Sequence, residues 1–453
     1  VVGSVRCVYE TAVAKARGAI RARGAYGPVS VDTFDGKRLP YAENLVNLIV
    51  ADAPGGLTPA EIMRVLVPRG VACIGGKKTV KPVPPEIDEW THFLHGADGN
   101  AVAQDTVVGP PRRFQWKADP PWARNHEIRS FFRAMVSGGG RVFYCVDEGQ
   151  SGLIRQLPDR WKLVARDAFN GLLLWKRPVS GMPKNEQIVV DTDRVFFAAP
   201  EGVVILDAAT GKELGKLEAA LKPYKLVLSG RTLLCSRSKG IIAIDADGGK
   251  TLWESDGSGS PAMVAGGGVV ATAGSQGTTC LDLKTGKKRW STGGAAKPKA
   301  DAPDKKGKKT RKKRGNAAPI LILHGDLLLA LSGGKITAHA AKTGEVAWSV
   351  KAGGGKSMRS QDFFVARGCA WKAVGEGING YDLETGELKK TIDPESIQSH
   401  GHHLRCYQSK ATERFLITQY RGVEFIGLNE QGNAQTDWAR GACSFGVVPA
   451  NGL

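Results

Sequence analysis

A chain of 453 residues, 42% of them hydrophobic, can hold two or more domains with sizeable cores and is globular rather than disordered. Its formal charge of +19 suggests a polyanionic partner until it is located: residues 297–314 hold ten Lys or Arg against two Asp, so this stretch contributes +8 and the remainder is moderately basic. No run of 18 or more apolar residues is present to span a bilayer. Eight scattered cysteines, with no CxxC and no adjacent pair, exclude a Cys-rich zinc module, a CxxCH haem site and a small disulfide framework.

From Val1 to Gly76 helix and strand patterns alternate. Small and apolar residues recur at helical spacing over Glu10 to Arg23, while VSV at Val29 and NLVNLIVAD from Asn44 are strand-like. LTPAEIMRVLV from Leu57 reads as a helix opened by a Thr cap and stopped by Pro68, with GVACIGG as the next strand. This is the order of the back half of a Rossmann-like α/β domain. The phrases DGKRLPYAENLVNLIVAD and EIMRVLVPRGVACI resemble the later motifs of the class I S-adenosylmethionine-dependent methyltransferases, although Val67 and Arg69 stand where that family has Lys and Gly. The resemblance implies a partial methyltransferase-like domain over residues 1–76, with S-adenosylmethionine as a candidate cofactor. Tyr9 or Glu10 would then lie near the ribose and Asp35 with Gly36 near the adenine edge. The family's Gly-rich cofactor turn has no counterpart after Val1, so a degenerate structural domain is expected. The chain begins without Met and reads as a piece of a longer product whose targeting segment is out of view.

Residues 77–130 form a Pro- and Trp-rich linker that leads into the next domain. EIDEWTHFLHGADGNAVAQD from Glu86 places His92 and His95 three apart, followed by Asp98 and Asn100, a pattern that on a helical turn can share a transition metal. The alternative is that both histidines are polar anchors pinning an irregular segment to its neighbours. FQW at Phe114 is expected to add a strand at a sheet rim, and His126 with Glu127 precede the strands that begin at Phe131.

From Val164 to Ile392 one phrase recurs six times: DAFNGLLLW from Asp167, DAATGKELG from Asp207, DADGGKTLW from Asp245, DLKTGKKRW from Asp282, AAKTGEVAW from Ala340 and DLETGELKK from Asp382. Successive copies start 40, 38, 37, 58 and 42 residues apart, and the long interval holds the basic insertion at 295–316, expected to be disordered. A period near 40 with four short apolar runs per unit is that of a β-propeller blade. Within the phrase, Asp and Thr support a tight turn, Gly takes the positive φ it needs, and Trp packs against the adjacent blade. Asp147 and Glu148 are placed where loops approach the central channel. A weak seventh copy surrounds Gly432 and Trp438, and RGACSFGVVPANGL begins another unit, so eight blades fit best, with seven as the alternative.

The phrase resembles the quinoprotein-type propeller motif Asp-x-x-Thr-Gly-x-x-x-Trp. The expected fold is therefore mainly β: a seven- or eight-bladed β-propeller over residues 131–453, preceded by the partial α/β domain. The resemblance implies a non-enzymatic or cryptic propeller acting as a binding or scaffold domain in an extracytoplasmic, bacterial, periplasmic setting, with a protein or small-molecule ligand at one face. Alternatives are a quinoprotein oxidoreductase using pyrroloquinoline quinone (PQQ) with calcium, and a methyltransferase. The chain has no vicinal cysteine pair to cover a quinone. Specific nucleic-acid binding is not expected, because the basic run lacks interleaved aromatics. Six of the eight histidines fall into two groups, His92/His95/His126 and His400/His402/His403, which become the candidate transition-metal ligands if the chain brings them together.

Overall fold

Helix α1 (Glu10–Ala22) opens the described chain, and a small sheet follows it. The computed structural model describes residues 10–119, 131–150, 158–256, 260, 262–274, 277–293, 319–353, 362–374, 377–393, 408–442 and 445–453. Strand β1 (Val46–Ala51) leads to helix α2 (Pro59–Val65), where the Thr58 hydroxyl caps the helix by accepting the Glu61 N–H at 3.2 Å. The helix gives way to β2 (Leu66–Ile74) before Pro68, not at it. A residue preceding proline disfavours the helical region, so Val67 must be extended, and extension from Leu66 buries both residues and pairs Leu66 with Val46. β1 and β2 run parallel and β3 (Lys77–Val80) pairs antiparallel with β2. The expected strand at Val29 is absent; Val29 makes only an isolated bridge with Tyr26.

From Phe132 the described chain is a succession of four-stranded antiparallel sheets, the architecture of a β-propeller: six such sheets and a seventh of five strands. Their first strands are Phe132–Gly138, Ile188–Val190, Lys225–Ser229, Ala262–Gly266, Ile320–His324, Phe363–Ala366 and Lys410–Thr412. First strands of sheets one to six lie side by side, which makes them the inner strands. The seventh sheet gains its fifth strand from far back in the chain: β4 (Val102–Ala103) pairs parallel with Lys410–Thr412.

The repeated phrase joins each third strand to its fourth. In the second sheet the Asp207 carboxylate accepts the Thr210 N–H and hydroxyl at 2.7 Å each, and Gly211, at φ +69°, closes the turn on the Asp207 carbonyl. Each Trp then reaches across to the next sheet. Its indole N–H donates to the carbonyl following the next phrase's first residue, in Trp175 to Ala208 (3.0 Å), Trp253 to Leu283 (2.9 Å), Trp290 to Ala341 (2.9 Å) and Trp348 to Leu383 (2.8 Å). The ring lies flat on that phrase's glycine. Where the sixth copy has Lys390 instead, its ammonium donates to the Leu428 carbonyl at 3.1 Å and pairs with Glu430.

The first copy departs from the others at Phe169 and Asn170, and this is where the α/β unit docks. Asn170 donates to Leu45 O and Asn47 Oδ1, Asn47 donates to Asp167, and Phe169 packs with Val67 and Ile87. Asp147 accepts the Gly149 and Arg160 N–H groups, and Glu148 pairs with Lys176 of the outer strand at 2.6 Å.

Candidate functional site: a segment across the inner strands

Residues 88–103 carry almost no regular structure, so their polar backbone needs partners elsewhere. It finds them one sheet at a time and in chain order. Ser137 N–H donates to the Trp90 carbonyl (2.8 Å), Val190 to Thr91 (3.1 Å), Leu228 to the His92 ring nitrogen Nε2 (2.9 Å), Ala265 to Ala97 (2.8 Å) and Leu323 to Asp98 (3.0 Å). Asn100 then takes the sixth sheet with both ends of its amide, accepting the Val365 N–H at 2.9 Å and donating to the Val365 carbonyl at 2.8 Å. Ala411 N–H donates to Ala101 at 2.9 Å, and β4 continues onto the seventh sheet. Sixteen residues thus touch the inner strand of each of the seven described propeller sheets, toward its C-terminal end.

The side chains lock the segment internally. Trp90 is fully buried against Ala101, Ala103 and Ala450, with His95 edge-on at 5.2 Å, and its indole donates to the Phe93 carbonyl. His95 adopts a positive φ of 68° and its Nε2 meets the Asp88 carboxylate at 2.7 Å. Burial works against that carboxylate, but the His95 contact and the Gln104 and Glu89 N–H groups hold it below the ordinary carboxylate range. Asp98 accepts the Asn100 N–H, and burial pushes its carboxyl up.

His92 uses both ring nitrogens: Nε2 accepts from Leu228, which places the proton of the neutral ring on Nδ1, 2.8 Å from the Thr91 hydroxyl. Burial, then the nearby Lys225 charge, pushes its pKa down to about 3. Because the unfolded chain binds this proton near pH 6.5 and the folded chain does not, stability falls as pH drops below 6.5. Carboxylates held at about 2, such as Glu61, Asp282 and Asp382, add their own loss only below about 4.5. Between pH 6.5 and 4.5 the expected slope from His92 is about 1.4 kcal/mol per pH unit. His92→Gln, which keeps an acceptor for Leu228, should flatten it; urea unfolding across that pH range measures the difference.

The segment forms no helical turn here: the His92 ring meets the Leu228 N–H and the Thr91 hydroxyl, and the His95 ring meets the Asp88 carboxylate. Among the described residues no group of three or more His, Cys, Asp or Glu is placed to hold a metal ion. His126, His400, His402 and His403 lie outside the described residues, as does the side chain of Glu10. Asp35 is exposed and accepts the Lys37 and Arg38 N–H groups at 2.8 and 2.9 Å; these backbone bonds hold its carboxyl low. Sequence reasoning missed the seven-sheet contact of this segment, because no residue type in it announces a partner more than a hundred residues away.

Trp116 completes the picture. It belongs to no sheet, yet its indole donates to the Ala168 carbonyl at 2.9 Å and its ring lies on Gly171, the contact each outer-strand Trp makes with the next sheet. On the other side Phe445 lies 5.7 Å from the Phe132 ring of the first sheet and beneath the Lys410 ammonium of the seventh.

Among solved structures, the chain is similar to BamB from Moraxella catarrhalis, at 15% identity and a TM-score of 0.45 over 69% of this chain and 84% of that one. It is also similar to a europium-containing methanol dehydrogenase (10%, TM-score 0.45, 80% and 87%) and to the quinohemoprotein alcohol dehydrogenase from Comamonas testosteroni (10%, TM-score 0.47, 80% and 74%). No curated protein sequence matches the chain. These comparisons lend no support to the methyltransferase resemblance of residues 1–76. A family model does match, over residues 75–253 and 201–367, which together make up more than half of the sequence, and the chain therefore belongs to the PQQ-like repeat family described as outer membrane protein assembly factor BamB.

Proposed function

We propose that this chain is a non-enzymatic binding or scaffold propeller of an extracytoplasmic bacterial protein, with the α/β unit serving as a structural clamp on the first sheet. The observation that carries this reading is the segment 88–103, which links the inner strands of the seven described propeller sheets with the chain's own residues. The repeated indoles are likewise spent on inter-sheet contacts, leaving the faces and loops for partners. The position between the seventh sheet and the first is read as an eighth blade position, with Trp116 as its outer element and Phe445 on its inner side. Both termini of the propeller would then contribute to it. Among the described residues no helix is long and apolar enough to cross a membrane.

The competing reading is a PQQ- and calcium-dependent oxidoreductase. Calorimetric and absorbance titration of the whole chain with PQQ and calcium separates the two. The binding-domain reading expects no saturable uptake; stoichiometric uptake with a shifted quinone spectrum transfers the protein to the oxidoreductases.

A further inference from the structure

Phe114 and Trp438 stand far apart in the chain, yet their rings meet edge to face, with centroids 4.6 Å apart and planes at 84°. Both stay half in solvent, at 56% and 47% exposure. Apolar side chains scattered singly over a surface are ordinary, whereas two touching aromatic rings form a contiguous ledge of the kind that marks a binding site. The ledge straddles a seam. Trp116, two residues on from Phe114, rests on Gly171 and bonds to Ala168 of the first sheet, while Trp438 follows the last strand of the seventh, Ala434–Thr436. Residues 114–116 therefore tie the tail of the seventh sheet to the first.

The ledge is flanked by cations. Arg112, Arg113 and Lys117 beside Phe114, and Arg440 beside Trp438, are exposed and form no ion pair or hydrogen bond among the described residues. Of the acids in these two stretches, Asp437 is shared between Gln435 at 2.7 Å and Arg421 at 4.0 Å. That leaves Asp119 and, on the α/β unit, Glu43, whose carbonyl accepts from the Gln115 amide at 2.9 Å. The backbone is unpaired as well: from Arg112 to Lys117 no peptide N–H or C=O is hydrogen-bonded among the described residues. Such a strip can take main-chain bonds from a second polypeptide. An acidic peptide uses all three features at once, with carboxylates for the guanidinium forks, an apolar side chain for the rings and a backbone for the strip. A lipid surface or a nucleic acid would use the charge and supply no strand to the backbone.

We propose that the seam between the seventh sheet and the first, at Phe114 and Trp438, docks an acidic peptide segment of a partner protein. The inference rests on the binding-domain reading and names the chemistry of that domain's partner. Fluorescence anisotropy of the full chain with a labelled decapeptide of alternating Glu and Leu tests it, beside a Lys and Leu peptide of the same pattern. Saturable binding of the acidic peptide alone is expected, weakened by about tenfold or more in Trp438→Ala and in the double variant Arg112→Glu, Arg113→Glu. Because Trp438→Ala removes part of the seam itself, the double variant at the exposed arginines is the decisive one, and an unfolding temperature equal to that of the native chain shows that it is folded. Bound peptide should also raise the unfolding temperature of the native chain and leave that of the double variant unmoved. Absence of saturable binding overturns the site. So does binding that both variants retain, since it then belongs to the basic residues 297–314. Binding of phosphatidylglycerol vesicles or of a single-stranded oligonucleotide that the variants lose, with no binding of the peptide, overturns it in favour of those partners. Stoichiometric uptake of PQQ with calcium overturns the binding-domain reading, whereas loss of peptide binding overturns the seam alone, so the two failures are distinguishable.

Discussion

Trp90→Ala is expected to lower the unfolding free energy by about 3–5 kcal/mol, the range for removing a fully buried tryptophan with little room for collapse. Trp90 is wholly inaccessible, and its neighbours Ala101, Ala103 and Ala450 are too small to fill the space. The loss reaches further than the cavity, because Trp90 also orients the first of the links that tie the segment to every sheet. Trp290 is a fair control: it is only partly buried and joins one sheet to the next. Trp290→Ala should cost about 2 kcal/mol. Urea unfolding followed by circular dichroism compares the two. Equal costs would show that the segment is an ordinary surface strap rather than the common anchor of the sheets.

Gly386→Ala is expected to cost about 3–4 kcal/mol, far more than alanine at another positive-φ glycine. Gly386 sits at φ +75°, and a Cβ there would stand 2.6 Å from the Trp348 ring, which is held by its own hydrogen bond to Leu383 and cannot yield. Gly368 has nearly the same backbone, φ +70°, with nothing within 4 Å of the added carbon. Gly368→Ala should therefore report backbone strain alone, about 1 kcal/mol. The difference isolates the Gly–Trp contact, and in the Trp348→Ala background the penalty at Gly386 should shrink toward the Gly368 value. If both glycines respond alike, the ring is not the reason glycine stands at this place in each repeat.

The repeat was legible because everything that makes it is local. Asp207, Thr210 and Gly211 complete their turn within five residues, and Trp175 signals its packing by size alone. The seventh sheet was faint, because its turn at Gly432 lacks the Asp and its Trp438 packs on Phe114 instead of on a following glycine. Helix α2 ended early because Val67 precedes Pro68 and because Leu66 has a strand to join, the second of which is a tertiary fact. The role of residues 88–103 was hidden for the same reason. His92 and His95 look like ligands by spacing, and what decides their chemistry is the N–H of Leu228 and the carboxylate of Asp88.

The order in which the segment meets the sheets bears on how the molecule is made. Its partners lie progressively further along the chain, 47 residues from Trp90 to Ser137, 136 from His92 to Leu228 and 265 from Asn100 to Val365. A ribosome therefore delivers the hub before the first spoke, and each sheet, on emerging, finds its own residue of the hub already waiting. The ring is counted out as it is translated, so that registration of one sheet is settled before the next exists, and the entropic cost of closing a ring of long-range contacts is met in instalments rather than at once.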